Sequence, residues 1–287
     1  MYQLLDGKLL SAQIKEEIKL EVESLMAQGK RAPNLVAVIV GNDPASETYV
    51  NSKARNCEAV GMQSSVIRLD ENISEEKLLQ QINLLNNDKN VDGFIVQMPL
   101  PKHINEQKII ETISPEKDVD GFHPINLGKM MLGQEAFVSA TPMGIMEMLK
   151  RYNIDTKGKH AVVIGRSNIV GTPISLLLSR NTNPGNCTVT LCHSQTKNLK
   201  EICLQADIIV AAIGKKHFVT ADMVKDGAVI IDVGINRIAG EKKIYGDVDF
   251  DNVAPKSSFI TPVPGGVGLM TIVSLMLNTL KSAKAKR

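Results

Sequence analysis

The sequence lacks the features that would place it in a membrane, outside the cell or on nucleic acid. No apolar run approaches the ~18 residues that span a bilayer. The first residues, MYQLLDGKLL, lack the basic and apolar segments of a secretion signal. The formal net charge of +2 over 287 residues is too small for the basic surface of a typical nucleic-acid-binding protein. We therefore expect a cytoplasmic protein with neither a membrane nor a nucleic-acid partner.

The motifs of several chemical classes are also missing. The four cysteines, Cys57, Cys187, Cys192 and Cys203, show no CxxC spacing, and the five histidines are scattered. We therefore predict reduced, buried thiols and no metal site. The absence of a GxSxG elbow and of a Walker loop disfavours acyl-serine chemistry and phosphoryl transfer.

The chain does contain an alternation of buried strand patterns and helical patterns from end to end. This alternation is typical of parallel sheets joined by right-handed crossovers. At 287 residues the chain fits two domains of ~140 residues each. We predict an α/β fold of two domains: an N-terminal catalytic domain over 1–140, and a Rossmann-type domain with a parallel sheet over 141–268. The last helix, in 269–287, is expected to pack back on the first domain.

Local signals predict the individual elements. Asp43 is expected to cap a helix that has Pro44 at its first position and stops at Gly61. Residues 117–138 are expected to be irregular. The predicted strands are 34–40, 64–69, 91–96, 159–164, 187–192, 207–213 and 228–233. The other predicted helices include Ile14 to Leu25, one opened by Ser74, Thr141 to Tyr152, 172–180 and 198–204.

A strand, a glycine turn and a helix start follow one another from Ala161 to Pro173. In this layout backbone N–H groups and the helix dipole can hold a pyrophosphate. The glycines are Gly165 and Gly171, and Ser167 stands where a second glycine is usual. The turn predicts a dinucleotide site.

The end of the next strand indicates which dinucleotide is bound. NAD sites usually place an acidic residue there to accept from the ribose 2′-OH, but this strand ends in Cys192, His193 and Ser194. A 2′-phosphate could instead be held by Arg166, Ser194 and Lys197. NADP is therefore favoured over NAD, although the long connection 181–186 makes the register of Ser194 less secure.

A second set of polar residues lies in the first half. Tyr49 and Lys53 are four residues apart on one face of the helix that starts at Pro44. The core-facing stripe of that helix is expected at Val50, Ala54 and Cys57.

Two further polar positions converge with this pair. Gln97 ends a buried strand, and ligands bind at such strand ends in open α/β sheets. Asp118 and Asp120 lie in the loop KDVDGFHP, where Asp118 is the better candidate for an Asx-turn. A lysine in a partly desolvated site could carry protons near neutral pH.

Six segments taken together resemble one enzyme family, the bifunctional methylenetetrahydrofolate dehydrogenase/methenyltetrahydrofolate cyclohydrolases. They occur in the family's order, cover nearly the whole chain, and depart from its pattern at Leu269, where proline is usual. The segments are GNDPASETYVNSK (41–53), IVQMPLP (95–101), KDVDGFHP (117–124), GRSNIVGTP (165–173), LCHS (191–194) and TPVPGGVGLMT (261–271).

The resemblance implies that 5,10-methylenetetrahydrofolate is oxidised with NADP to the methenyl cation, which water converts to 10-formyltetrahydrofolate. It also implies a homodimer formed through the cofactor domain, and a product used in purine, histidine and methionine biosynthesis.

Carried over residue by residue, the resemblance implies roles at the site. Lys53 moves protons, Gln97 hydrogen-bonds it, Tyr49 packs on the folate, and Asp120 accepts from the amino-pyrimidine edge. Further implied substrate contacts are Val50, Asn51, Ser52, Met98, Pro99, Pro264, Gly265, Gly266, Val267 and Gly268. The implied cofactor contacts are Gly165, Arg166, Ser167, Ser194 and Ile235.

Two alternatives stay open at this point. One is a dehydrogenase of related two-domain shape, acting on shikimate-like hydroxy acids or on amino acids. The other is a folate- or nucleotide-binding protein that has lost catalysis, against which the joint presence of Tyr49, Lys53, Gln97 and Asp120 speaks.

Overall fold

The structure is a computed structural model that describes residues 1–238, 240–241 and 243–285. Strands and helices alternate along this described part of the chain. The strands are β1 (Gln3–Leu4), β2 (Asn34–Val40), β3 (Gln63–Leu69), β4 (Gly93–Val96), β5 (His160–Ile164), β6 (Thr188–Cys192), β7 (Ile208–Ala211), β8 (Val229–Asp232), β9 (Asn236–Arg237), β10 (Ile244–Tyr245) and β11 (Phe259–Ile260). The helices are α1 (Gly7–Ala27), α2 (Pro44–Ala59), α3 (Glu75–Asn87), α4 (Glu106–Thr112), α5 (Pro124–Met131), α6 (Ala140–Arg151), α7 (Gly171–Ser179), α8 (Leu199–Cys203), α9 (Phe250–Val253) and α10 (Val267–Ala285). Short 3-10 helices lie at Ala221–Met223 and Ala254–Lys256.

The chain divides into two compact units. The three-stranded unit comprises Gln13–Ala140 and the residues from Ile272 onward, and the six-stranded unit comprises Met1–Ala12 and Thr141–Thr271. The predicted boundary placed residues 1–12 with the first domain. In the structure they belong to the six-stranded unit, because β1 pairs in parallel with β11.

The three-stranded unit is built around a parallel sheet in the order β3-β2-β4. The central strand reads NLVAVIV and is buried along nearly its whole length, as a strand covered on both faces must be. Leu78, Ile82 and Leu85 of α3 belong to the same apolar cluster as Val36 and Val38 of β2. The predicted strands 34–40, 64–69 and 91–96 and the helix opened by Ser74 are confirmed, with β4 beginning at Gly93.

The six-stranded unit contains a parallel sheet in the order β1-β11-β8-β7-β5-β6. After β6 the chain returns to the other side of β5 to form β7, so the strand order reverses at β5. In open α/β sheets, ligands bind outside the carboxyl ends of the strands at such a reversal. The predicted Rossmann-type parallel sheet is confirmed.

Short elements account for most of the differences from the sequence prediction. Residues 117–138 were expected to be irregular, yet α5 begins within them. His123 Nδ1 accepts a hydrogen bond from Ile125 N at 3.0 Å, and Pro124 occupies the first position of the helix. The two-residue strands and the seven-residue α4 were also not predicted, because such short segments carry too little apolar periodicity to recognise.

Candidate active site and cofactor cleft

Helix α2 presents Tyr49 and Lys53 one turn apart, and both side chains are half-buried. The helix begins at Pro44 because Asp43 Oδ2 accepts from Ser46 N at 2.8 Å. Its core face is formed by Val50 and Cys57, which are fully buried. Ala54, predicted as part of that face, is half-exposed instead.

Gln97 follows directly after β4 and reaches the lysine. Lys53 Nζ donates to Gln97 Oε1 at 3.2 Å, so the implied hydrogen bond between the two residues is present. Gln97 Nε2 donates to the carbonyl oxygen of Met98 at 2.8 Å. Because the amide nitrogen is used there, the oxygen faces the lysine and can only accept from it.

Asp118 organises the loop that carries Asp120. Its buried carboxylate accepts from the backbone N–H groups of Phe122 and His123, at 3.2 and 2.8 Å, and from Asn126 Nδ2 at 2.9 Å. Burial raises the pKa of Asp118 to about 6, although these hydrogen bonds act in the opposite direction. The expected Asx-turn at Asp118 is not present, because the donors to its carboxylate lie four, five and eight residues further along the chain rather than two.

Asp120 lies two residues further along and is in a different electrostatic environment. Burial raises the pKa of its carboxyl group, and the positive charge of Lys53 partly offsets that rise. Within the described residues its carboxylate accepts no hydrogen bond. Two acceptor oxygens close to a lysine are therefore available to a ligand.

Two residues of α2 that were predicted to contact the substrate point elsewhere. The side chain of Val50 lies in the core. Asn51 is about 200° around the helix from both Tyr49 and Lys53, and its Oδ1 accepts from Arg68 Nη2 at 3.0 Å. The prediction is corrected for these two side chains, which leaves only their backbone for a ligand. The contacts of three further residues stay predictions: Ser52, Met98 and Pro99.

The segment Pro264–Gly268 lies in the six-stranded unit. Gly265 has a φ of +110°, a backbone conformation that other residues rarely adopt. Its carbonyl oxygen accepts from Lys8 N at 3.1 Å. Gly266 and Val267 are buried, whereas Pro264 and Gly268 are exposed. Their predicted substrate contacts stay predictions.

The surroundings of this segment show where Ile235 lies and what Leu269 contributes. A Cβ at Gly268 would lie 3.6 Å from Ile235 Cδ1, so the structure brings Ile235 next to the glycine segment. Leu269 N donates to the carbonyl oxygen of Gly266 at 3.2 Å. Proline, which is usual at this position, could not form this bond because it has no N–H.

The glycine turn after β5 has the close backbone packing of a dinucleotide site. Gly165 has a φ of +115°, and its N–H donates to the carbonyl oxygen of Cys192 at 2.9 Å. A side chain at Gly171 would collide with the carbonyl oxygen of Gly165, so α7 can start this close only with glycine. Ser167 Oγ accepts from Val170 N at 3.2 Å and thereby supports the start of the helix.

A cleft of about 540 Å³ opens beside this turn, at the carboxyl ends of β5 and β7. Three of the predicted cofactor residues line it, namely Gly165, Arg166 and Ser194, whereas Ser167 and Ile235 do not. The residues missed from the sequence are Ile164, His193, Thr196, Leu199, Ala212, Ile213, Lys215 and Phe218. Those that follow β7 could have been found from the rule that ligands bind at strand ends.

The residues of this cleft fit a nucleotide that carries a 2′-phosphate. Ile164 and Cys192 are partners in the β5–β6 register, so His193 and Ser194 follow directly at the cleft. The long connection 181–186 folds back on itself, with Asn186 N donating to the carbonyl oxygen of Arg180 at 2.7 Å, and it leaves this register intact. The exposed Ser194 stands where an NAD site would have a carboxylate, and the exposed Arg166 lines the same cleft from the turn after β5.

The described part of the chain offers neither a metal site nor a membrane-spanning helix. Within residues 1–238, 240–241 and 243–285, no group of three or more His, Cys, Asp or Glu side chains could hold a metal ion. None of the helices in this part of the chain is long and apolar enough to cross a membrane.

Comparison with known proteins gives matches over nearly the whole length. The family described as tetrahydrofolate dehydrogenase/cyclohydrolase matches with its catalytic domain over residues 5–120 and with its NAD(P)-binding domain over residues 139–287. The relative named Bifunctional protein FolD from Cytophaga hutchinsonii is 59% identical over 289 residues, which cover 99% of this chain and 100% of the relative.

Solved structures agree with these matches. The bifunctional enzyme FolD, methylenetetrahydrofolate dehydrogenase/cyclohydrolase, from Campylobacter jejuni has a TM-score of 0.96 at 51% identity and covers 100% of both chains. The Trypanosoma brucei N5,N10-methylenetetrahydrofolate dehydrogenase-cyclohydrolase, solved as a complex with NADP cofactor and inhibitor, has a TM-score of 0.94 at 34% identity, over 99% of this chain and 98% of that one.

The protein has a Rossmann-type unit with a dinucleotide cleft and a second α/β unit with a lysine, an amide and a carboxylate. These features define a two-domain α/β oxidoreductase. The identity and coverage of the matches then decide among such enzymes. The chain belongs to the tetrahydrofolate dehydrogenase/cyclohydrolase family.

The protein is therefore bifunctional, and its cofactor is NADP. It oxidises 5,10-methylenetetrahydrofolate to 5,10-methenyltetrahydrofolate and hydrolyses that product to 10-formyltetrahydrofolate. This decides against both a shikimate-like dehydrogenase and a binding protein that has lost catalysis.

Proposed function

We propose that Lys53 moves the protons of the hydrolytic step. When water adds to the methenyl carbon it must lose a proton, and the ring nitrogen must gain one as its bond to that carbon breaks. A neutral lysine amine can accept the first proton and then deliver one to the nitrogen. The observation that carries the proposal is the hydrogen bond of 3.2 Å from Lys53 Nζ to Gln97 Oε1, which holds the amine in place.

Three neighbours serve this lysine or the substrate. Gln97 keeps Lys53 oriented, since its amide oxygen can only accept. Asp120 accepts from the amino-pyrimidine edge of the folate, which offers N–H donors to its two free oxygens. Tyr49 packs on the folate from one turn away on α2. In the six-stranded unit, the three glycines of residues 264–268 lack side chains and so allow a ligand to approach the backbone closely.

The test of this proposal is the substitution Lys53→Met, which keeps the aliphatic stem and removes the amine. Hydrolysis of methenyltetrahydrofolate should fall by about 10²–10⁴-fold, the usual contribution of a positioned acid–base group. Lys19→Met, an exposed lysine of α1 in the same unit, is the matched control and should leave the rate unchanged. Wild-type hydrolysis by Lys53→Met would refute the role of Lys53.

We also propose that NADP lies in the cleft beside Gly165 and takes the hydride there. The pyrophosphate faces the turn at Gly165 and Ser167, Arg166 and Ser194 hold the 2′-phosphate, and Ile235 lies on the nicotinamide side. The six-stranded unit is then the cofactor domain and the three-stranded unit the folate domain.

Arg166→Ala should raise the dissociation constant of NADP far more than that of NAD, measured by equilibrium titration. An equal loss for both would mean that Arg166 does not read the 2′-phosphate.

The assembly and the setting of the enzyme are further parts of the proposal. We propose a homodimer formed through the six-stranded unit, supported by exposed apolar side chains there such as Ile169 and Ile238. Sedimentation equilibrium at the mass of one chain would contradict it.

We propose that the enzyme works in the cytoplasm, where its four free cysteines stay reduced, and supplies purine, histidine and methionine biosynthesis. Cell fractionation and the growth requirements of a deletion strain test these two points.

A further inference from the structure

Two buried aspartates lie beneath the carboxyl ends of β7 and β8, and neither has a part in the function described so far. Asp232 is the last residue of β8, and Asp247 follows β10 by two residues. Asp247 is fully buried, and Asp232 nearly so. A buried carboxylate is costly unless it is well hydrogen-bonded, so the partners of these two groups indicate what they do.

Asp247 gathers one short segment of backbone around its carboxylate. Its Oδ2 accepts from the N–H groups of Ile213 and Gly214, at 2.7 and 3.0 Å. Its Oδ1 accepts from Lys215 N at 2.8 Å and from Asn236 Nδ2 at 2.9 Å. Successive N–H groups that converge on one anion fix the conformation of the segment that carries them.

Asp232 in turn fixes the position of Asp247. Its Oδ1 accepts from Gly234 N and from Asp247 N, both at 2.9 Å, and its Oδ2 accepts from Val248 N at 2.9 Å. A side chain at Gly234 would collide with the carboxylate of Asp247, so this packing requires glycine. Burial raises the pKa of Asp232 to about 6, and the nearby Asp247 adds to the rise.

The backbone held in this way belongs to the cofactor cleft. Ile213 and Lys215 line the cleft on the side opposite Ser194, and Asn236 follows directly after Ile235. We propose that Asp247 is a positioning residue for NADP: it holds 213–215 as one wall of the cleft and fixes Asn236 beside the nicotinamide side. This inference rests on the proposed placement of NADP in the cleft. It predicts an effect on the dehydrogenase that the cyclohydrolase does not share, because hydrolysis uses no nucleotide.

The test is Asp247→Asn, which keeps the volume but replaces one acceptor oxygen with an NH₂ group that faces N–H donors. The dissociation constant of NADP, from equilibrium titration, should rise by at least about tenfold, the result of losing at least one charge-assisted hydrogen bond. Cyclohydrolase activity should stay close to that of the wild type. Asp251→Asn, an exposed acid on α9, is the matched control and should change neither quantity.

These experiments distinguish a failure of the inference about Asp247 from a failure of the proposed placement of NADP. Unchanged NADP affinity in Asp247→Asn would overturn the inference, and so would an equal loss of NADP affinity and cyclohydrolase activity, which indicates general damage to the fold. If Asp247→Asn does not fold, Asn236→Ala removes one of the four hydrogen bonds and should weaken NADP alone; a folded Asn236→Ala with wild-type affinity overturns the inference. Unchanged NADP affinity in Arg166→Ala would instead reject the placement of NADP, and the role of Asp247 with it.

Discussion

Asp118 and Asp120 are only two residues apart, yet their surroundings give them different roles. The carboxylate of Asp118 accepts hydrogen bonds from Phe122 and His123 in its own loop and from Asn126 of α5. Within the described residues the carboxylate of Asp120 accepts none, and the positive charge of Lys53 acts on it. Because the pKa of Asp118 is about 6 rather than 3.8, its protonation favours the folded state. This contribution to the free energy of unfolding is fully present below the pKa that Asp118 has in the unfolded chain. It is lost as the pH rises through 6.

The raised pKa of Asp120 predicts a pH dependence of substrate binding. As the pH falls through that pKa, the carboxylate gains a proton and loses one of its acceptor positions. The KM for methylenetetrahydrofolate should therefore increase toward acid pH, and Asp120→Asn should show a higher KM without this slope. Glu76→Gln, an exposed acid on α3, is the control and should follow the wild type. A wild-type pH profile for the KM in Asp120→Asn would contradict the assignment.

At the scale of elements, α10 fixes the loop that carries Asp120. Asn278 Nδ2 donates to the carbonyl oxygens of Val119 at 2.8 Å and Val138 at 3.0 Å. Ser282 Oγ donates to the carbonyl oxygen of Asp92 at 2.6 Å. One helix therefore satisfies backbone carbonyl groups in three separate segments, including the loop that carries Asp120.

This arrangement predicts the effect of Asn278→Leu, which leaves two carbonyl groups unpaired. The loss should destabilise the fold by about 1–3 kcal/mol, lower the thermal midpoint and raise the KM for folate, since Val119 directly precedes Asp120. Thr279→Val is the control, because the Thr279 hydroxyl is equally buried but donates only within α10, to the carbonyl oxygen of Leu275. Equal midpoints for the two variants would show that Asn278 does not hold the loop.

The sequence predicts those elements whose signals are local. Asp43, Pro44 and Gly61 mark both ends of α2, and the apolar run 34–40 marks β2. The register of Tyr49 and Lys53 follows from helix geometry alone. The pairing of β1 with β11 could not be predicted, since two residues carry no period. The partners of Asp247 could not be predicted either, because they lie up to 34 residues away in the chain.

At the scale of the whole molecule, the two activities have different chemical needs. Hydride leaves a carbon that becomes a stabilised cation, so the redox step needs NADP and no strong base. The addition of water needs a proton carrier and no nucleotide. Lys53 and Gln97 lie in the three-stranded unit, and the cleft at Gly165 lies in the six-stranded unit. In the proposed division of work, Lys53 carries out the proton transfers of hydrolysis and the cleft binds NADP.

The most direct test of this division is to follow the products of Lys53→Met supplied with methylenetetrahydrofolate and NADP. We expect that NADPH still forms while methenyltetrahydrofolate accumulates, and that 10-formyltetrahydrofolate appears only at the uncatalysed rate. Formation of 10-formyltetrahydrofolate at the wild-type rate, or an equal loss of NADPH formation and hydrolysis, would contradict it.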